Sequence, residues 1–219
     1  MRLPIALAGM AVLALSAPAP AQGRDRSAQV APTPGGGHLF GDPAARTRIV
    51  EWASYTCPHC ARFAAESKAP LAPLLRSGAA NFEYRHLIRD PLDLAAVIVA
   101  RCGGAARFAR INDAIFAGQQ TWLGRGAEFA RTNRETLATA APGAQLRGLA
   151  EGSGLLAIGR AQGLTDVQLQ RCFADKAALD RLLANKTPPE VTGTPAFFVN
   201  GRYTGAHDWT RLQPLLSSR

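Results

Sequence analysis

The chain of 219 residues is poor in acidic side chains and in cysteine, and it lacks a hydrophobic run long enough to cross a bilayer. Only 16 Asp and Glu stand against 25 Lys and Arg, giving a formal net charge of +9. The basic residues are scattered. With no long basic run and no basic–aromatic alternation, the charge reads as a basic surface rather than a nucleic-acid footprint. No repeat is present, so a solenoid is excluded. Four cysteines in a chain of this length exclude a small disulfide-dense scaffold and leave the core to hydrophobic burial. Apolar content is ordinary for one globular domain, or for a domain carrying an insertion.

What is present begins with a short basic start, Met1-Arg2, then an uncharged apolar stretch over residues 3–15 and the small-residue run "SAPAPAQG". This is the layout of a secretory signal, with cleavage expected after Ala21; the alternative is an uncleaved anchor, which the length of the apolar run argues against. No cysteine lies near the cleavage region, which speaks against a lipid anchor. An exported chain meets an environment in which disulfides persist. Residues 22–37, ending in "PGGGH", are rich in Pro, Gly, Ser and Ala, so residues 22–40 are expected to be a flexible lead-in without a fold.

Residues 48–55, "RIVEWASY", alternate and are rich in strand formers, and "GDPAA" before them is a turn. A helix is expected from Cys57, ending before Pro70. Residues 81–88, "NFEYRHLI", read as a second strand. From 91 to about 187 the pattern is helical. Leu94, Ile98 and Cys102 share one face, Phe108, Ile111 and Ile115 another, and Leu179, Leu182 and Leu183 a third; all read as core. Thr132 with Glu135, and Thr165 with Gln168, have capping-box spacing. Strand signals return at residues 196–199, Asn200-Gly201 is a hairpin turn, residues 202–204 are the return strand, and Asp208 caps a closing helix. The fold expected is α/β: two pieces, 41–90 and 188–219, flanking a helical insertion over 91–187.

"SYTCPHCARF" places Cys57 and Cys60 three residues apart at the strand-to-helix junction. A metal clip, a structural disulfide and a reactive disulfide are the candidates. Zinc needs a second ligand pair, and Cys102 and Cys172 are distant from each other and from the first pair in sequence. A disulfide closing so small a loop removes little chain entropy. With Cys57 at the N-cap, Pro58 falls at N1, where proline is favoured. The amides of the first turn, the helix dipole and a protonated His59 all favour a thiolate on Cys57. A pair whose reduced form is stabilised is oxidising, and Cys60, deeper in the helix, is the resolving thiol. Downstream, "VTGTPAFFVNG" sets Thr194-Pro195 before a strand. This is either an ordinary strand-entry proline or a cis bond offering the Thr194 backbone to an extended client.

The combination of "TCPHC" after a strand, "GTPAFFVNG" near the C-terminus and a helical block between them resembles the DsbA family of thiol:disulfide oxidoreductases, from about residue 41 onward. The resemblance implies a thioredoxin fold with a helical insertion. It implies Cys57 as nucleophile, Cys60 as resolving thiol, Pro195 as a cis proline and Glu51 as an acidic residue relaying protons; a partly exposed strand glutamate is the other reading of Glu51. It implies periplasmic work on reduced exported proteins and a DsbB-like membrane partner for re-oxidation. No cofactor or metal is called for, and a monomer is expected. Thr194, where enterobacterial oxidases carry valine, is more often seen in the isomerase branch, but dimeric isomerases add an N-terminal dimerisation domain for which this chain offers no room. Cys102 and Cys172, left over on helices of an exported chain, are expected to form a structural disulfide, as in similar relatives outside the enterobacteria. The expected activity is a dithiol oxidase. An isomerase or reductant, and a non-catalytic disulfide-stapled or metal-binding module, are the alternatives.

Overall fold

The structure, a computed structural model, describes residues 25–26 and 28–217. The expected signal segment, 1–21, lies outside the described residues. Six strands form one sheet in the order β1-β2-β4-β3-β5-β6. They are β1 (Val30–Pro32), β2 (His38–Gly41), β3 (Thr47–Ala53), β4 (Ala80–His86), β5 (Ala196–Val199) and β6 (Arg202–Tyr203). β3 and β4 are parallel, with Glu51 opposite Tyr84, and helix α1 (Pro58–Ser77) makes the crossover between them. β5 joins β3 antiparallel with Ile49 opposite Val199. The β5–β6 turn has both Asn200 (φ 51°) and Gly201 (φ 80°) in the left-handed region, as a two-residue hairpin requires. Between β4 and β5 the chain runs through α2 (Pro91–Cys102), α3 (Ala105–Ala117), α4 (Gln119–Thr132), α5 (Arg134–Thr139), α6 (Pro142–Ser153), α7 (Leu155–Ala161), α8 (Asp166–Ala174) and α9 (Lys176–Leu183). α10 (Trp209–Ser217) closes the chain, with the Asp208 carboxylate accepting from the Arg211 amide.

Two cores result. Ile49, Phe197 and Val199 of the sheet bury against Phe63 and Leu71 of α1 and Trp209 and Leu212 of α10. The larger core is the helical block: Phe108, Ile111, Ile115, Leu155, Leu156 and Leu169 are fully buried, and it reaches the sheet through Tyr55 and Tyr84. Burial of side chains of this size contributes roughly 1.5–3 kcal/mol each relative to exposure.

Several expectations are corrected. The lead-in is folded from β1 onward: β2 pairs with β4, His38 opposite Tyr84 and Phe40 opposite Phe82. The His38 ring stacks on Phe108 at 3.6 Å. The Pro/Gly-rich composition belongs to the β1–β2 turn, where the Gly36 amide donates to the Thr33 carbonyl and Arg101 donates to the Gly36 carbonyl. Turn chemistry there looks like linker chemistry, and the strand around it is paired by distant residues. α1 runs through Pro70 and Pro73 to Ser77. Each proline removes one backbone donor, but burial of Phe63, Ser67 and Leu71 along one stripe holds the helix, which ends where Gly78 takes φ 74°. Thr132 does not cap a helix; it is the last residue of α4, and its hydroxyl donates back to the carbonyls of Glu128 and Phe129. Leu183 is exposed, because α9 ends there with Leu179 and Leu182 turned inward. The Thr165–Gln168 capping box is present as expected.

α4 and α6 cross closely. A Cβ on Gly152 would meet the Phe129 ring at 2.2 Å, and one on Gly126 would meet the Leu92 side chain at 2.5 Å. Alanine is the better helix former by about 1 kcal/mol, yet the steric conflict dominates here. Gly152→Ala is expected to lower stability by about 1–3 kcal/mol in urea denaturation; an unchanged or raised midpoint would contradict this crossing.

Candidate active site at the head of α1

β3 ends at Ala53, and a three-residue loop delivers Cys57 to the N-cap of α1 (φ −90°, ψ 118°) with Pro58 at N1. Cys57 and Cys60 are both free thiols and both buried. Because β5 is zipped to β3 with Ala196 opposite Trp52, the segment before β5 lands beside Cys57. The Thr194–Pro195 peptide bond is cis, and the Cys57 thiol donates to the Thr194 carbonyl at 3.2 Å. The Pro195 carbonyl lies 2.9 Å from Nδ1 of His207. Residues 137 positions apart are thus joined in one site.

The two thiols sit in opposite electrostatic environments. Cys57 is lowered to about 5, first by the neighbouring Cys60 thiol, then by the Thr194 side chain and the amides of Cys60 and His59, all working against burial. The amides of His59 and Cys60 favour the anion, though the Cys57 side chain makes no capping hydrogen bond in the structure, and the largest stabilisation of the thiolate comes from the other cysteine. It is the backbone amide of His59 that bears on the sulfur; its ring is exposed, with Nδ1 3.1 Å from the Arg62 guanidinium. Cys60 is pushed well above an ordinary thiol, chiefly by burial and then by its hydrogen bond with Cys57. Glu51, on β3, is fully enclosed, so burial and then the Cys57 charge raise its carboxyl well above the usual range. Its Oε1, the Tyr84 hydroxyl and both ring nitrogens of His86 have no hydrogen-bond partner among the described residues. An open cleft of about 400 Å³ runs beside the pair, lined by His59, Arg62, Glu66, Thr192, Thr194, Pro195 and His207.

The loop before Cys57 is held by residues that sequence reasoning did not single out. Asp93 of α2 accepts from the Tyr55 amide (2.9 Å), the Ser54 hydroxyl (2.5 Å) and the Arg89 amide (3.1 Å). Burial raises its pKa to about 6 against the pull of those donors. Gln119 of α4 donates to the carbonyls of Tyr55 (2.7 Å) and Cys57 (2.9 Å). Asn112 of α3 accepts from the Tyr55 hydroxyl at 2.8 Å. One of these had a visible signal: Asp93 is a lone charge inside the apolar run "PLDLAAVIVA". Gln119 and Asn112 had none. Away from this site, Cys102 at the end of α2 and Cys172 on α8 form a disulfide. Among the described residues, no cluster of three or more His, Cys, Asp or Glu is assembled that could hold a metal.

Comparison with known proteins agrees with this architecture. The thioredoxin family profile matches residues 33–218. A crystal structure of a protein-disulfide isomerase from Novosphingobium aromaticivorans is 32% identical, with a TM-score of 0.76, covering 83% of this chain and 95% of that one. Wolbachia pipientis alpha-DsbA1, at 21% identity and a TM-score of 0.64, covers 84% of this chain and 90% of its own and shares the fold. A provisionally named protein-disulfide oxidoreductase of Rickettsia bellii is 28% identical over 176 residues, 76% of this chain. The chain spans 58% of that relative's length. With two thiols at the head of the helix after β3, a cis proline facing them and a helical block set into the sheet's connections, the chain belongs to the thioredoxin family.

Proposed function

We propose that the protein is a periplasmic thiol:disulfide oxidoreductase acting as a dithiol oxidase on reduced exported proteins. The observation that carries the reading is the buried Cys57 thiol at the N-cap of α1, held acidic and bonded to the backbone of Thr194. In the oxidised enzyme a client thiolate attacks Cys57 Sγ and the Cys57–Cys60 bond breaks. Cys60 leaves with the electron pair and takes a proton, which its high affinity favours. A second client thiolate then attacks the client sulfur of the mixed disulfide. The client leaves as a disulfide, and Cys57 departs as a stable thiolate, so two electrons pass to the enzyme. Glu51, buried and with a raised proton affinity, is the proton donor to that thiol, and once ionised its charge in turn raises the Cys60 pKa. An extended client segment lies along the cleft past Pro195 and His207. A quinone-linked membrane partner similar to DsbB restores the disulfide. The likeness to an isomerase and the threonine before Pro195 favour isomerase action as a second reading.

The potential separates the two. Equilibration with glutathione is expected to place the pair nearer the roughly −120 mV of a strong oxidant than the roughly −270 mV of thioredoxin; a value at the latter end would reject the oxidase. Offered a disulfide-bonded client, Cys60→Ala is expected to accumulate the Cys57–client mixed disulfide, because Cys57 displaces one client thiolate and no resolving thiol follows; non-reducing mass spectrometry detects it, and Cys57→Ala is expected to form none.

The acidity of Cys57 also predicts a pH dependence. Its folded pKa of about 5 lies below the value of about 8.5 in an unfolded chain, so the folded reduced form binds fewer protons between the two. The stability of the reduced protein relative to the oxidised one therefore rises as pH climbs from about 5 toward 8.5, and the gain is lost as pH falls through 5. Denaturation of both forms at several pH values reads this directly; a gap independent of pH would refute an acidic Cys57.

A further inference from the structure

The helical block is more than a cover over the site. Tyr55, two residues before Cys57, is held by three of its helices: its amide by Asp93 of α2, its hydroxyl by Asn112 of α3 and its carbonyl by Gln119 of α4. Of these three side chains, Gln119 also reaches the reactive cysteine's own peptide, through the 2.9 Å bond to the Cys57 carbonyl, which also accepts from the Ala61 amide. The residue is 4% exposed. It is the first residue of α4, and the α3–α4 junction beneath it is pinned. The Trp122 indole donates to the Ile115 carbonyl at 2.7 Å, and the Phe116 ring lies 4.9 Å from the Tyr55 ring.

We propose that Gln119 is a positioning residue for Cys57: by bridging two carbonyls of the redox loop it fixes the N-cap peptide so that the first-turn amides of α1 face the sulfur. The proposal rests on the reading of Cys57 as the nucleophile. The physics is a matter of two donors. The carbonyls of Tyr55 and Cys57 both point at the Gln119 amide, and without it the Tyr55 carbonyl is left buried and unpaired. The loop then turns to seek another donor, and the Cys57 sulfur turns with it, away from the amides of His59 and Cys60. The Gln119 amide hydrogens also carry the positive end of a dipole to the cysteine's peptide, which further favours an anionic sulfur. The other ionisable groups facing that sulfur, Cys60 and Glu51, belong to α1 and β3 and are untouched by changes at 119. Asp93 keeps its own bonds to the loop.

The test uses the whole chain, with two variants at 119 and one control. Gln119→Leu keeps the volume and removes both donors. Gln119→Glu keeps the shape and sets a carboxyl against two carbonyls, so it remains informative if the leucine variant fails to fold. Leu149→Ala makes a cavity in α6, within the same block, at a side chain that makes none of the loop's hydrogen bonds. Thiolate absorbance gives the Cys57 pKa and glutathione equilibration gives the redox constant. Both 119 variants are expected to raise the Cys57 pKa and shift the redox constant about three- to tenfold toward the disulfide, the range spanned by an ordinary hydrogen bond. Leu149→Ala is expected to lose stability with neither value moved. If the 119 variants lose stability but keep the wild-type acidity and redox constant, Gln119 is ordinary core and the proposal fails. The underlying reading fails separately, if the unaltered protein's Cys57 ionises like a free thiol.

Discussion

The site depends on one constraint: the peptide entering α1 is not free to choose its conformation. A strand that feeds straight into a helix leaves the N-cap residue with open backbone groups and several available geometries. Here β3 fixes one end of the loop, and the helical block takes hold of Tyr55 by its amide, carbonyl and hydroxyl. The loop therefore cannot relax when Cys57 gains or loses a proton or a bond. Preorganisation of this kind is what lets backbone amides favour an anion, since their orientation was settled when the protein folded. The same constraint explains why the block is built around a buried carboxylate. Asp93 is fully enclosed, and each of its hydrogen bonds ends on the segment leading to the thiols or on the start of its own helix.

The opposed acidities of the two cysteines follow from a displacement of one helical turn. Cys57 at the N-cap has amides and the Cys60 thiol turned toward it. Cys60, one turn further in, is enclosed by the core and gives up its hydrogen bond to its neighbour. The hydrogen bond between them lowers one and raises the other, and burial adds the larger share of the proton affinity of Cys60. The pair in its reduced form is an anion next to a donor. In its oxidised form that arrangement is absent, and the difference sets the direction in which electrons flow.

How much of this could be read from the sequence depends on the range of the interactions involved. The Cys57–Pro58 helix start, the Asn200–Gly201 hairpin and the Thr165–Gln168 box are local, each specified within four residues, and each was legible. β1 and β2 were not, because a turn made of proline and glycine has the composition of a linker; the strand character of His38 and Phe40 comes from Phe82, Tyr84 and Phe108 far along the chain. The run of α1 through Pro70 was hidden for the same reason, since the force sustaining it is burial against the sheet. In the site, residue types with intrinsic chemistry announced themselves. Gln119 did not, because an amide has no chemistry of its own and matters only through the two carbonyls it meets.

The two cysteine pairs show how loop length and surroundings divide the roles of one functional group. Cys102 and Cys172 are 70 residues apart. On the chain-entropy account, closing a loop of that length constrains the unfolded chain by about 4 kcal/mol. The bond ties the end of α2 to α8, and α2 is the helix that carries Asp93 to the redox loop. Closing the loop between Cys57 and Cys60 removes almost nothing from the unfolded chain, and its reduced state is the one the site stabilises. Chain entropy thus favours keeping the first bond, and electrostatics favours opening the second. The proposed oxidase needs both: a bond that holds the clamp in place, and a bond that the clamp makes easy to surrender.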